Sequence, residues 1–152
     1  MQLAEPLTLG WREWLALPAL GIAAIKAKLD TGARSSSLSV VSVETFDRGG
    51  DLHVRFQVRP RRRSERVVTC EAPVIDRRQV TDSGGHTAER WFIRTEILIA
   101  SERFETDINL TDRRAMLFPL LLGRSALHGR FSVDAALSYT SPRSPRAGTA
   151  PT

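Results

Sequence analysis

The sequence predicts an all-β single domain made of hairpins, closed into a barrel or stacked as a sandwich. Three observations carry that expectation. Apolar and polar residues alternate in short runs, the spacing of half-buried strands rather than of helices. Glycine-rich turn signals separate the runs, most plainly Asp47-Arg48-Gly49-Gly50-Asp51 and Thr81-Asp82-Ser83-Gly84-Gly85-His86. At 152 residues, 41% of them hydrophobic and 26% charged, the chain has enough apolar mass for one core and too little length for two.

Taken in order, residues 11–17 read as a first strand stopped by Pro18, and residues 22–29 as a second. Residues 40–46 and 52–58 flank the first Gly-Gly turn. An arginine-rich loop follows at 60–66. Residues 67–80 and 89–99 flank the second Gly-Gly turn, and a short turn at 100–103 leads into a third hairpin ending near Leu110. The continuous apolar run 116–122 suits a strand buried on both faces, and 125–128 adds one helical turn. The folded domain is expected to span 1–138. Residues 139–152, rich in Pro, Ser and Arg, are expected to form a disordered tail.

Composition narrows the function. Basic residues outnumber acidic ones 22 to 17, for a net charge of +5, and all but Lys26 and Lys28 are arginine. The planar arginine fork suits carboxylates and phosphates, so polyanionic partners are expected. The single Cys70 excludes an internal disulfide framework and a cysteine-built zinc site. His53, His86 and His128 are scattered, so neither metal nor cofactor is expected. No phosphate-binding Gly-Lys-Ser/Thr loop occurs, and Ser35, Ser36 and Ser37 lack a nucleophile-elbow frame. The opening residues lack the layout of a signal peptide and no apolar run is long enough for a bilayer, so the expectation is a soluble cytoplasmic protein.

The informative stretch is Ala27-Lys28-Leu29-Asp30-Thr31-Gly32-Ala33, an apolar strand running into an acid, a hydroxyl residue and a glycine, with polar turn residues Arg34 to Ser37 following. Asp30 would sit at a strand end with its carboxylate held by a rigid turn, as a catalytic acid needs. Alone, the tripeptide is equally an ordinary turn. Far downstream comes Leu120-Leu121-Leu122-Gly123-Arg124-Ser125, a short buried strand ending in a glycine that permits close approach to a neighbouring turn.

Together these two pieces resemble the retropepsin-like aspartic proteases. Lys26 to Arg34, Leu9-Gly10-Trp11-Arg12-Glu13, Asp82-Ser83-Gly84-Gly85 with Glu89-Arg90, and Phe118 to Arg124 narrow the likeness to a bacterial retropepsin-like family named as ATP-dependent zinc proteases. Some of its members are linked to RimK-type glutamate ligases and trim glutamate tails on a ribosomal protein. The resemblance implies a closed acid-protease barrel with one short C-terminal helix. It also implies a peptidase in which two aspartates share a proton across a bound water. With one Asp-Thr-Gly per chain, it implies a homodimer with one Asp30 from each copy.

In that likeness Asp30, Thr31 and Gly32 form the catalytic turn and Gly123 packs beneath it. The flap over substrate is a glycine-rich hairpin, assigned to Gly84 and Gly85 rather than Gly49 and Gly50. Ala33, Arg34, Arg90 and Arg124 are the remaining substrate-binding candidates. Arg34 stands where retroviral members commonly carry an acid, so Arg34 and Arg124 would repel unless an anion lies between them or each finds solvent or a local acid such as Glu89 or Asp112. Paired arginines point to an acidic or glutamate-tailed peptide. The competing reading is a non-catalytic basic β-barrel that binds RNA or a ribosomal protein through Arg59, Arg61, Arg62, Arg63 and Arg66. Against it, the arginine loop itself carries no aromatic residue for stacking bases.

Overall fold

A computed structural model describes residues 5–81, 84–112 and 117–142. Its first strands are β1 (Leu7–Gly10), β2 (Arg12–Leu17) and β3 (Ile22–Leu29), with a 3-10 turn at Pro18–Leu20 closed by Gly21 in the left-handed region (φ 76°). β4 (Ser36–Ser39) follows, then β5 (Ser42–Arg48), β6 (Asp51–Val58), β7 (Val68–Pro73) and β8 (Asp76–Thr81). The chain continues through β9 (Thr87–Ile99), β10 (Glu102–Thr111), β11 (Leu120–Leu122), helix α1 (Arg124–Leu127) and β12 (Phe131–Asp134). The protein is all-β.

Alternation builds the core. In β3, Ile22, Ile25, Ala27 and Leu29 point inward while Lys26 and Lys28 stay exposed. The main sheet runs β10-β4-β11-β3-β2-β9-β8, and β9 also pairs with β10 along its length. Six strands therefore form a circuit of pairings, with β8 appended outside it. The link between β2 and β9 is narrow, a single pair at Ala16 and Leu98. Leu15, Leu17, Ile25, Leu38, Ile93, Ile97 and Leu120 are buried in the common core. The separate sheet β5-β6-β7 turns Val54, Phe56, Val58, Cys70 and Ala72 towards it. Burial pushes the Cys70 thiol up to about 11, which makes it a packing residue rather than a nucleophile.

Four expectations change. The single strand foreseen over 67–80 is two, because adjacent residues bond to different sheets: Val74 N–H donates to the Leu52 carbonyl and Ile75 N–H to that of Phe92. The polar turn foreseen at 34–37 contains the start of β4, whose Ser36 and Ser37 are buried. Within the apolar run 116–122 only Leu120–Leu122 is strand; Leu117 is 68% exposed and Met116 lies outside the described residues.

The fourth change is the tail. Tyr139 packs against Trp14 and Ser141 is buried, so residues 139–141 are part of the packed domain. The rest of the expected tail, residues 143–152, lies outside the described residues. Among the described residues no helix is long and apolar enough to cross a membrane.

The anchor for residues 139–141 is Glu13, a fully buried carboxylate. Its Oε2 accepts from Gly10 N–H (2.7 Å), Thr140 N–H (3.0 Å) and the Thr140 hydroxyl (2.5 Å). Its Oε1 accepts from Ser141 N–H (3.0 Å) and the Ser141 hydroxyl (3.1 Å). Burial pushes this carboxyl up, but the hydrogen bonds from Thr140, Ser141 and Gly10 together outweigh it and leave it below the ordinary glutamate value.

Candidate active site

β3 ends at Leu29 and the chain turns on Asp30, whose main-chain carbonyl accepts from Ala33 N–H (3.2 Å) and whose Oδ1 accepts from Gly32 N–H (2.9 Å). A short acid followed by glycine makes this local bond easily, so the carboxylate is oriented by its own turn. The turn is fastened from below. β11 lies between β3 and β4, parallel to the first (Leu122 opposite Leu29) and antiparallel to the second (Leu120 opposite Leu38). Asp30 N–H donates to the Leu122 carbonyl at 2.8 Å.

Gly123 then passes under the loop. A Cβ there would lie 2.5 Å from the Ser35 carbonyl oxygen and 2.9 Å from that of Ala33, so no larger residue fits without moving backbone. Arg124 N–H donates to the Ala33 carbonyl (2.7 Å), Ser125 N–H to that of Arg34 (3.0 Å), and Gly123 N–H to the Ser36 hydroxyl (3.0 Å). The Arg124 guanidinium also donates to the Thr31 carbonyl at 3.2 Å. Five hydrogen bonds thus hold the loop onto β11 and the start of α1. The buried Asn109 extends the support, donating to the Ser36 carbonyl (2.9 Å) and accepting from Arg90 (3.2 Å).

Above the loop is an open cleft of about 850 Å³. It brings together six of the residues singled out in the sequence: Asp30, Gly32, Ala33, Arg34, Gly84 and Arg90. Thr31, Gly85 and Arg124 do not line it. Thr31 and Arg124 meet each other at the loop's edge, and Gly85 holds a left-handed conformation (φ 83°) in the hairpin that Gly84 brings to the cleft. Asp82 and Ser83 of that hairpin lie outside the described residues. The alternative hairpin at Gly49 and Gly50 joins β5 to β6, in the separate sheet.

Sequence reasoning missed Lys28 and Arg78, which also line the cleft. Lys28 was visible as the exposed partner in the β3 alternation. Arg78 lies 4.0 Å from the centre of the Phe92 ring and pairs with Asp76 (2.6 Å) and Asp107 (3.7 Å). Among the described lining residues Asp30 is the sole carboxylate, facing Lys28, Arg34, Arg78 and Arg90. The Arg124 guanidinium reads a main-chain carbonyl, and Glu89 pairs with Arg77.

A family model described as RimB-like, "Retropepsin-like aspartic endopeptidase RimB", matches residues 8–144. The chain belongs to the RimB-like family. Two relatives are each named "Probable alpha-L-glutamate ligase": one from Desulfotalea psychrophila, 42% identical over 130 residues, and one from Shewanella halifaxensis, 39% identical over 132. The match covers 85% and 86% of this chain but only 28% and 29% of those proteins, so the chain spans under a third of the length of these curated relatives. A solved structure from Legionella pneumophila, of a protein of unknown function (DUF785), superposes with a TM-score of 0.75. It is 28% identical, and the match covers 91% of this chain and all of that one.

Among the described residues no group of three His, Cys, Asp or Glu side chains converges as a zinc site would require.

Proposed function

We propose that this chain is an aspartic peptidase that hydrolyses acidic or glutamate-tailed peptides, working as a homodimer with one Asp30 from each copy. The observation that carries the reading is a carboxylate, the sole one among the described lining residues, fixed by its own turn and by β11 in a cleft whose other charged side chains, Lys28, Arg34, Arg78 and Arg90, are all basic. Two such carboxylates brought together cannot both ionise, so they share one proton. The ionised aspartate takes a proton from a bound water as its oxygen attacks the peptide carbonyl carbon. The protonated aspartate donates to the carbonyl oxygen. Collapse of the tetrahedral species breaks the C–N bond, the nitrogen leaves protonated, and no covalent enzyme intermediate forms.

In this reading Thr31 and Gly32 brace the dyad, while Ala33, Arg34 and Arg90 contact substrate. Arg124 acts from below by holding the Thr31 carbonyl. The hairpin carrying Gly84 and Gly85 closes over the peptide. The basic lining favours carboxylate side chains, which arginine clamps bidentately. Relatives named as probable glutamate ligases support a functional link to a RimK-type ligase, and the substrate proposed with that link is a glutamate-tailed ribosomal protein. Those names describe proteins more than three times as long as the matched segment, so ligation is not assigned to this chain.

The test is release of glutamate from a synthetic peptide with a C-terminal oligoglutamate tail, in EDTA, comparing wild type with Asp30→Asn. Cleavage by wild type alone is the expected result. Equal cleavage by both proteins sinks Asp30 as the catalyst, and cleavage that EDTA abolishes sinks the metal-free mechanism.

A further inference from the structure

The arginine loop after β6 does not stand alone. Arg61, Arg62 and Arg63 form one wall of a second cleft, of about 750 Å³. The rings missing from the loop are supplied by distant segments: Trp11 and Trp14 beside and within β2, Phe118 before β11, and Tyr139. They form a row in which rings and cations alternate. Phe118 meets Trp11 edge-on at 5.8 Å. The Arg12 guanidinium lies 4.7 Å from the Trp11 ring centre and 5.0 Å from that of Tyr139. The Lys26 ammonium lies 5.2 Å from Trp14 and 5.5 Å from Tyr139. All four rings are half-buried, so part of each reaches the surface.

Charge is unbalanced there. Among the described residues the lining carries five basic side chains and no acid. Several arginines elsewhere are paired with acids: Arg48 and Arg55 with Glu71, Arg77 with Glu89, Arg94 with Asp107. Among the described residues, no such ion pair involves Arg61, Arg62 or Arg63. Five like charges gathered around four rings repel one another unless an anion joins them.

We propose that this cleft binds single-stranded RNA, with bases stacked on the aromatic row and phosphates held by Arg12, Lys26 and the arginine loop. A positively charged groove with interleaved aromatic rings is what a flexible polynucleotide requires. An acidic peptide would satisfy the charges and leave the rings unused, whereas a duplex keeps its bases stacked away from them. The site stands apart from the Asp30 chemistry yet beside it. Lys26 and Lys28 project from the same face of β3, two residues or about 7 Å apart, one into each cleft. RNA held here would fix the Asp30 cleft next to whatever that RNA is bound to.

The experiment is fluorescence anisotropy with a short fluorescein-labelled oligouridylate across a salt series, with quenching of Trp11 and Trp14 emission as a second readout. Proteins are wild type, the loop variant R61S/R62S/R63S, Lys26→Glu, and Asp30→Asn. Wild type and Asp30→Asn should bind alike, which separates this proposal from the peptidase reading. The loop variant should bind about tenfold or more weakly, with a log–log salt slope shallower by up to about 2. Lys26→Glu should weaken both binding and quenching, and circular dichroism should show that both variants are folded. Absence of saturable binding, equal binding by the loop variant, or equal affinity for a duplex of the same length overturns the proposal. So does quenching by oligoglutamate with none by RNA, which would make the face an acidic-peptide surface.

Discussion

Asp30 and Glu13 sit at the ends of neighbouring strands, and the Leu29 N–H donates to the Trp11 carbonyl between them. Their fates are opposite. Glu13 is fully buried and its two oxygens accept five hydrogen bonds, three from main-chain N–H groups and two from hydroxyls. Asp30 is half-buried, spends one oxygen on its own turn and lines an open cleft. A carboxylate saturated with donors inside the fold holds parts together and has nothing left to offer a reactant. One held by a rigid turn at a cleft retains acceptor capacity for water, a proton or a partner carboxylate. What separates the two acids is the number of donors aimed at each.

Four substitutions would break or sharpen that contrast. Asp30→Asn should lower peptide cleavage by about a thousandfold or more while thermal unfolding barely moves, read by a glutamate-release assay beside a melting curve. Glu13→Ala should do the reverse, costing about 2–4 kcal/mol of stability because it strands buried donors from Gly10, Thr140 and Ser141. Urea titration measures it, and a loss much under 1 kcal/mol would mean that the segment re-anchors elsewhere. Gly123→Ala lies between the two. Its Cβ meets the Ser35 carbonyl, so about 1–3 kcal/mol of stability and much of the cleavage rate should fall together.

The fourth is Glu13→Gln, read against pH. The folded Glu13 carboxyl lies below its ordinary value. Its contribution is therefore fully present above the unfolded-state value and is lost as pH falls through the folded one. The gap in stability between wild type and Glu13→Gln should be constant near neutrality and narrow in acid. A gap that widens in acid would reverse the assigned direction. The smallest effect expected is on subunit mixing. If the active unit needs Asp30 from both copies, exchanging wild type with an equal amount of Asp30→Asn should cut cleavage to about half. Unchanged activity would point to a one-chain site.

Legibility followed locality. β3 was readable to the residue because its alternation and its bounding glycine and acid all lie within ten positions. The Asp30 turn and Gly123 were each visible as local chemistry, and their resemblance to one family set them side by side. β4 was misread because Ser-Ser-Leu-Ser has turn composition. Its burial makes sense only once the Ser36 hydroxyl accepts from Gly123 and its carbonyl from Asn109. Glu13 stood in a quoted block without a role, since partners 127 and 128 residues away decide what it does. The aromatic row was invisible for the same reason: its four rings come from three separate stretches of chain. The strand foreseen over 67–80 broke because no local signal says which of two sheets each half will join.

The placement of β11 carries a consequence for how the molecule comes into being. Three residues far downstream of both strands, Leu120–Leu122, fill the slot between β3 and β4. During synthesis those two edges must remain open until Leu122 has left the ribosome, exposing apolar strand to any passing neighbour. The Asp30 loop therefore acquires its floor only after β5 to β10 have been made. A chain halted short of that point is an unfinished sheet whose Asp30 turn has no floor.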